Sequence, residues 1–392
     1  MKNEHPISVT KLIIYTIMPL QRPITGFFLF FAGIAIGITL RSHLKDFSFT
    51  YSLDPQLSLP NPLPLTSLWS PTQETTTDSG NMGTVKINNF MGQDHKEDDD
   101  QDLINRVLKM DPPVIRGSTP AGKVAFLFLT KGSLPMAPLW EKFFEKHKGN
   151  FSVYVHTNPL YNWTLPKDSV FYGSIIPSKL VEWGKFNMIE AEKRLLANAL
   201  LEPTNQRFVL LSESCIPLFN FQTIYSYLMG SAQNFVEAFN QPGPSGIGRY
   251  KRSFKPLVFP AQWLKGSQWF TINRDLATTI VSDSEYFPRF RNICGSATCH
   301  ADEHYLPTFV NLRFAHKNSN RSLTWVDWSG GGMHPRSFFR THVTVEFLKG
   351  LRNVRSCEYD EEKRAVCFLF ARKFLPNSLV RLMKFAPKMM RF

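Results

Sequence analysis

Cysteine is scarce in this chain, five in 392 residues, which is too few for a small disulfide-built scaffold. Two phosphate-cradling signatures are missing as well. No glycine-rich GxGxxG follows an apolar strand and no GxxxxGK[ST] occurs anywhere, which argues against a dinucleotide oxidoreductase and a P-loop enzyme. Internal repeats are absent. Charge is not balanced, with 45 Lys and Arg against 32 Asp and Glu and a net charge of +13, yet the excess is spread along the chain and no RNA- or DNA-binding signature accompanies it. An anionic small substrate, an acidic polymer or a membrane surface is a better partner for that charge than nucleic acid.

Long apolar runs are equally sparse, and the charge-free stretch Ile24–Leu40 therefore stands out. Its length suits a bilayer core, which needs about 17–25 apolar residues. It begins too far from residue 1 for an ordinary signal peptide, so it is expected to be a retained anchor. Lys2, Lys11 and Arg22 precede it and Arg41 and Lys45 follow, a bias towards a cytosolic N-terminus. The expected order is a cytosolic tail (1–23), an anchor (24–40), a partly disordered stem (41–120) rich in Pro, Ser, Thr, Asn and Asp, and a globular domain (121–392) on the far side of the membrane. Asn-x-Ser/Thr acceptors at Asn150, Asn162 and Asn320 suit a domain that enters the secretory lumen. In that oxidising compartment the short loops Cys294–Cys299 and Cys357–Cys367 are the preferred disulfides, leaving Cys215 buried and free.

Texture changes abruptly at Lys123–Thr130 (KVAFLFLT), a continuous apolar strand of the kind buried on both faces. A helix in APLWEKFFEKHKG follows, then strands at Phe151–Thr157 and Ser169–Gly173, a helix in NMIEAEKRLLANALLE and a strand at Arg207–Glu213. Strand, helix and strand alternating in this way imply an α/β domain with a parallel-rich sheet, whose ligands bind beyond the carboxyl ends of the strands.

The segment Cys294–Val310 (CGSATCHADEHYLPTFV) concentrates acids, histidines and cysteines. Three readings compete there. Glu303 can serve as a general base at a helix start. His300 and His304 with Glu303 between them match H-x-x-E-H, the pattern of an inverted zinc protease, with a distant carboxylate such as Glu358 as a further ligand. Alternatively Asp302 and Glu303 only favour a helix N-terminus by their charge.

Seven blocks, among them VEWGKFNMIEAEKRLLANAL, QRFVLLSESCIPL, KGSQWFTINR, CHADEHYLPT and VCFLFARKF, occur in the order seen in Core-2/I-branching N-acetylglucosaminyltransferase-like proteins, and the chain resembles the plant group of that family from about residue 121 to 385. The resemblance implies a GT-A type fold, a Golgi-resident type II membrane enzyme and an inverting transfer from a UDP-sugar to a hydroxyl of a glycan or glycoprotein, with N-acetylglucosamine, glucuronic acid or xylose as the sugar. It implies Glu303 as the base, with Asp302 beside it orienting the turn or the acceptor. It implies no metal cofactor, because the Asp-x-Asp at Asp98–Asp100 lies in the stem, and Lys373 in FARKF, with Arg372 and Arg364, takes the diphosphate. Trp183 and Lys185 in EWGK, with His156 at the end of the second strand, are expected at the nucleotide. Glu237, Trp269, Trp325 and Trp328 are acceptor candidates, since aromatic faces stack on sugars and carboxylates bind hydroxyls. A glycan-binding protein that keeps the fold without turnover is the remaining alternative.

Overall fold

A computed structural model of the chain describes residues 97–110, 122–295, 299–353, 356–360 and 362–392. The cytosolic tail, the anchor Ile24–Leu40 and most of the stem lie outside these residues. Among those described, no helix is long and apolar enough to cross a membrane.

The elements run in the order α1 (Glu97–Leu108), β1 (Lys123–Leu129), α2 (Ala137–Phe144), β2 (Phe151–His156), α3 (Asn187–Leu200), β3 (Asn205–Ser212), β4 (Ile216–Pro217) and α4 (Phe221–Gly230). Then come β5 (Thr271–Asn273), α5 (Arg274–Ser282), α6 (Tyr286–Cys294), α7 (Tyr305–Arg313), β6 (Thr324–Val326), α8 (Val345–Arg352), β7 (Cys357–Tyr359), β8 (Glu362–Arg364), β9 (Phe370–Arg372) and α9 (Leu379–Met389). The main sheet has the order β2-β1-β3-β5, parallel except for β5. This mixed, parallel-rich α/β arrangement fits a GT-A-like domain.

β1 is central and buried on both faces, as its unbroken apolar sequence predicts. Alternate side chains of a strand face opposite ways. Val124, Phe126 and Phe128 accordingly enter one core with α2, α4 and α9, while Ala125 and Leu127 enter another with α3, α5, α6 and α7. In the first core the ring of Phe126 meets Trp140, Phe143 and Phe144 of α2, the last edge-on at 5.0 Å between centroids. The register pairs Leu129 with both His156 and Ser212, so three carboxyl ends finish at one level.

A second, three-stranded sheet sets β9 antiparallel to β4 and parallel to β6. It brings Arg372, and Lys373 just beyond it, to the same side of the molecule. The two expected disulfides are formed, Cys294–Cys299 and Cys357–Cys367, the second closing the β7–β8 hairpin, and Cys215 is free and buried.

One expected strand does not form. Ser169–Gly173 is a turn, in which the Ser169 hydroxyl accepts from the Phe171 N–H and the Ser169 carbonyl accepts from the Tyr172 N–H. Serine offers the backbone such a local alternative to a ladder. A single parallel bridge, Val155 to Ile175, is what remains of strand pairing there.

Helix α1 falls within the segment that composition assigns to the stem. Its Leu103, Ile104 and Val107 pack on the α3/α5 core, and Asp100 pairs with Arg194 and Lys179. The packed body thus starts ahead of Lys123. A fragment beginning at residue 95 is expected to melt at least about 5 °C above one beginning at 115, since loss of a packed helix removes a few kcal/mol. Equal melting temperatures by calorimetry would show that α1 adds nothing to the fold.

Candidate active site

Beyond the aligned strand ends opens a cleft of about 1130 Å³. Its walls hold Thr130 and Lys131 after β1, His156 and Thr157 at the end of β2, Ser212 and Glu213 at the end of β3, and Arg372 and Lys373 from β9. Glu237, Asp302, Glu303, Trp183, Trp269, Trp325 and Trp328 line it as well. Topology therefore brings together residues spread across the whole globular sequence, where α/β sheets take their ligands.

Glu303 sits in a short helical turn, Ala301–Glu303, ahead of α7. Its Oε2 accepts from Arg249 Nη1 at 2.6 Å and lies 3.3 Å from Lys265 Nζ, whereas Oε1 has no protein partner among the described residues. One oxygen is fixed by charge and the other is left for a ligand. Sequence reading missed both cations, because Arg249 lies in a stretch with no motif of its own and Lys265, although it opens the KGSQWFTINR block, carries no signal of its partner. Gly266 explains how the chain comes so close: its N–H donates to the Glu303 carbonyl at 2.9 Å, and a Cβ there would stand 1.7 Å from the carbonyl oxygen of Glu237. Only glycine lets that backbone pass between Glu237 and Glu303.

Asp302 behaves differently from its neighbour. Its carboxyl is buried, Oδ1 lacks a protein partner, and burial, with the Glu303 charge, pushes its pKa up to about 7. Glu192 of α3, wholly buried and accepting from Gln268 Nε2 at 2.8 Å, is pushed well above the usual carboxylate range by burial and by Asp302. The wall behind Glu303 is thus built from carboxyls that burial favours in the neutral form.

The two histidines of the H-x-x-E-H pattern do not share a helical face. His300 is left-handed (φ 48°) and sets its ring edge-on to Trp183 at 4.9 Å, with Gly184 so close that a Cβ would lie 3.1 Å from the imidazole. His304 is buried, stacks on Trp263 at 4.5 Å and places Nδ1 2.8 Å from the Leu264 carbonyl; burial drives its pKa down to about 4. Glu358 is exposed on β7. Among the described residues no three His, Cys, Asp or Glu side chains are grouped to hold a metal, so the zinc-protease arrangement is not made. The turn is too short to bring both imidazoles to one side.

Lys373, also on the cleft wall, is half-buried, and its pKa is lowered by burial and by Arg372, against the pull of Glu213, with Lys131 adding to the lowering. Arg372 lays its guanidinium 4.1 Å above the Trp269 ring. That contact covers a face of Trp269, which is only 7% exposed and so is a packing residue rather than an open stacking platform. Trp325 packs between Phe338 and Phe347. Trp183 and Trp328 are 46% and 49% exposed and do offer open faces. Arg364 is an exposed hairpin residue paired with Glu362 at 2.5 Å and does not line the cleft, and neither does Lys185. Asn162 and Asn320 are exposed and Asn150 is half-buried.

A cleft at the carboxyl ends of a parallel-rich sheet, lined by a charge-held carboxylate and by lysines, is also what known relatives of the chain bear on. The model of the Core-2/I-branching enzyme family matches residues 124–352. The chain belongs to the Core-2/I-branching enzyme family. It is also 32% identical over 305 residues to Glycosyltransferase BC10 of Oryza sativa subsp. japonica, a match covering 67% of this chain and 76% of that protein. This family member is accordingly a glycosyltransferase. Glu303 lies inside the family-matched range, whereas Lys373 and α1 lie outside it.

The elevated pKa of Asp302 carries a stability signature. A buried acid raised from 3.8 to about 7 binds more protons folded than unfolded between those values, so on its account stability falls as pH rises from about 4 to about 7. Asp302→Asn is expected to flatten the fall in melting temperature between pH 5 and pH 7.5, and Glu192→Gln to remove part of what remains. An unchanged slope in both variants would show that these carboxyls are ionised in the fold.

Proposed function

We propose that this glycosyltransferase is inverting and metal-independent, moving a sugar from a UDP-sugar to a hydroxyl of a glycan or glycoprotein, with Glu303 as the general base. The single observation carrying the reading is that one cleft is lined both by a carboxylate with a free oxygen, Glu303, and by Lys373, Arg372 and Lys131. A sugar hydroxyl is too weak an acid to attack unaided. In the proposed step its oxygen bonds to the anomeric carbon, its proton passes to Glu303, and the bond from that carbon to the diphosphate oxygen breaks on the opposite face. The departing diphosphate carries negative charge, which Lys373 and Lys131 neutralise in place of a metal. Trp183, with His300 against it, and His156 border the nucleotide, while Glu237 and Trp328 border the acceptor. N-acetylglucosamine is the donor sugar that the family name suggests, and glucuronic acid and xylose are the alternatives.

The test is a panel of UDP-sugars with the purified protein and its variants. Glu303→Gln keeps the shape but accepts no proton, so transfer is expected to fall about a hundred- to ten-thousand-fold with UDP affinity nearly intact. Lys373→Ala is expected to weaken UDP-sugar binding and slow transfer together. Near-normal transfer by Glu303→Gln would remove it as the base.

The same reading places the enzyme in the Golgi membrane as a type II protein, anchored by Ile24–Leu40, with the domain lumenal and glycosylated at Asn150, Asn162 and Asn320. Enzymatic deglycosylation should increase its electrophoretic mobility, and sealed vesicles should protect the domain from added protease. Unchanged mobility together with digestion would reverse the topology.

A further inference from the structure

The donor end of the cleft depends on a residue from α1, outside the family-matched range. Asp100 receives Arg194 Nε at 2.7 Å and Nη2 at 2.6 Å, a two-pronged pair, and Lys179 Nζ at 2.8 Å. Arg194 is 4% exposed, so its charge depends on that carboxylate for compensation. The third arm of the same guanidinium, Nη1, lies 3.0 Å from His156 Nε2. A guanidinium can only donate, so Nε2 accepts. The Lys179 N–H donates to the same nitrogen at 3.3 Å, and one residue earlier the Ser178 hydroxyl accepts from the Thr157 N–H at 3.2 Å.

Asp100 therefore ties together three parts of the molecule: the buried arginine of α3, the His156 ring at the end of β2, and the loop that begins at Ser178 and carries Val181 and Trp183 to the cleft wall. His156, Thr157, Lys179, Val181 and Trp183 all line the cleft, and Asp100 does not. Burial and the neighbouring Arg194 push the His156 pKa down to about 3, so the ring is a neutral acceptor of both donors. Burial raises the Asp100 pKa, but its hydrogen bonds and charge contacts with Arg194 and Lys179 outweigh it and bring the value down to about 2. The carboxylate is thus ionised at neutral pH.

We infer that Asp100 is a positioning residue for the donor end of the cleft, and that α1 is a working part of the transferase rather than a spacer. Asp100 acts through Arg194 and Lys179, which hold the His156 ring and the 178–183 loop in the shape that receives the nucleotide. The inference rests on the UDP-sugar reading given above. It predicts an effect on one substrate and not the other, because among the described residues Asp100, Arg194, Lys179 and the His156 ring share no hydrogen bond or ion pair with Glu303, Glu237 or Trp328.

The experiment is a calorimetric titration of UDP into the full chain, combined with separate KM measurements for donor and acceptor. Asp100→Ala is expected to weaken UDP binding about ten- to hundredfold, the scale of a small displacement of positioning groups, with acceptor KM unchanged. Asp100→Glu, which keeps the charge, should recover most of the loss, and Asp100→Asn should fall between. Asp100→Ala that binds UDP like the wild type overturns the inference and leaves the donor reading standing, as does equal worsening of both KM values. If Asp100→Ala fails to fold, Asp100→Asn decides by the same two readouts. Wild-type protein that binds no UDP sinks the donor reading and this inference with it.

Discussion

Burial of β1 on both faces is the constraint from which the remainder of the architecture follows. A strand with aromatic side chains on one side and aliphatic ones on the other needs a helical layer on each. The β2-β1-β3 register that satisfies it ends three strands at one level, with Leu129, His156 and Ser212 together. Loops leaving those ends have nowhere to go except around a common cleft. The second sheet then fixes β9 across that opening, because Phe370 is buried against Trp140 and Phe126 while Arg372 and Lys373 follow it.

Electrostatics inside the cleft are divided by depth. Glu303 is held by two cations, whereas Asp302 beside it on the cleft wall and Glu192 are almost wholly buried, with no cation in hydrogen-bond contact among the described residues. Burial thereby raises the Asp302 pKa to about 7, while its neighbour Glu303 is held by Arg249 and Lys265. Elsewhere in the cleft the Arg372 guanidinium rests on the Trp269 ring, which stabilises its charge, while burial and Arg372 disfavour the charge of Lys373, so that an anion there would be favoured.

Much of the scaffold was legible in the sequence. The unbroken apolar run at Lys123–Thr130, the helical period in α3 and the alternation of elements gave the sheet, and short cysteine loops gave both disulfides. What failed had local causes: Ser169–Gly173 reads as a strand by composition but its serine bonds its own turn, and His300 and His304 satisfy a motif whose helix never forms between them. The motif residues Glu303 and Lys373 do line the cleft. The site was illegible where partners come from far along the chain, as with Arg249, Lys265 and Glu192. Trp269 and Arg364 show the converse, since an aromatic or a cation in the right block can be occupied by a neighbour or face away. The acidic run at the stem's end looked like a solvated segment because nothing in its spacing announces Arg194.

The central claim, transfer by a carboxylate base and side-chain cations on an inverting course, is tested most directly by following the anomeric configuration of the first-formed product by NMR in excess chelator. The account predicts a product of inverted configuration, formed at the same rate with and without chelator. Retained configuration, or a rate abolished by chelator and restored by a divalent ion, would contradict it.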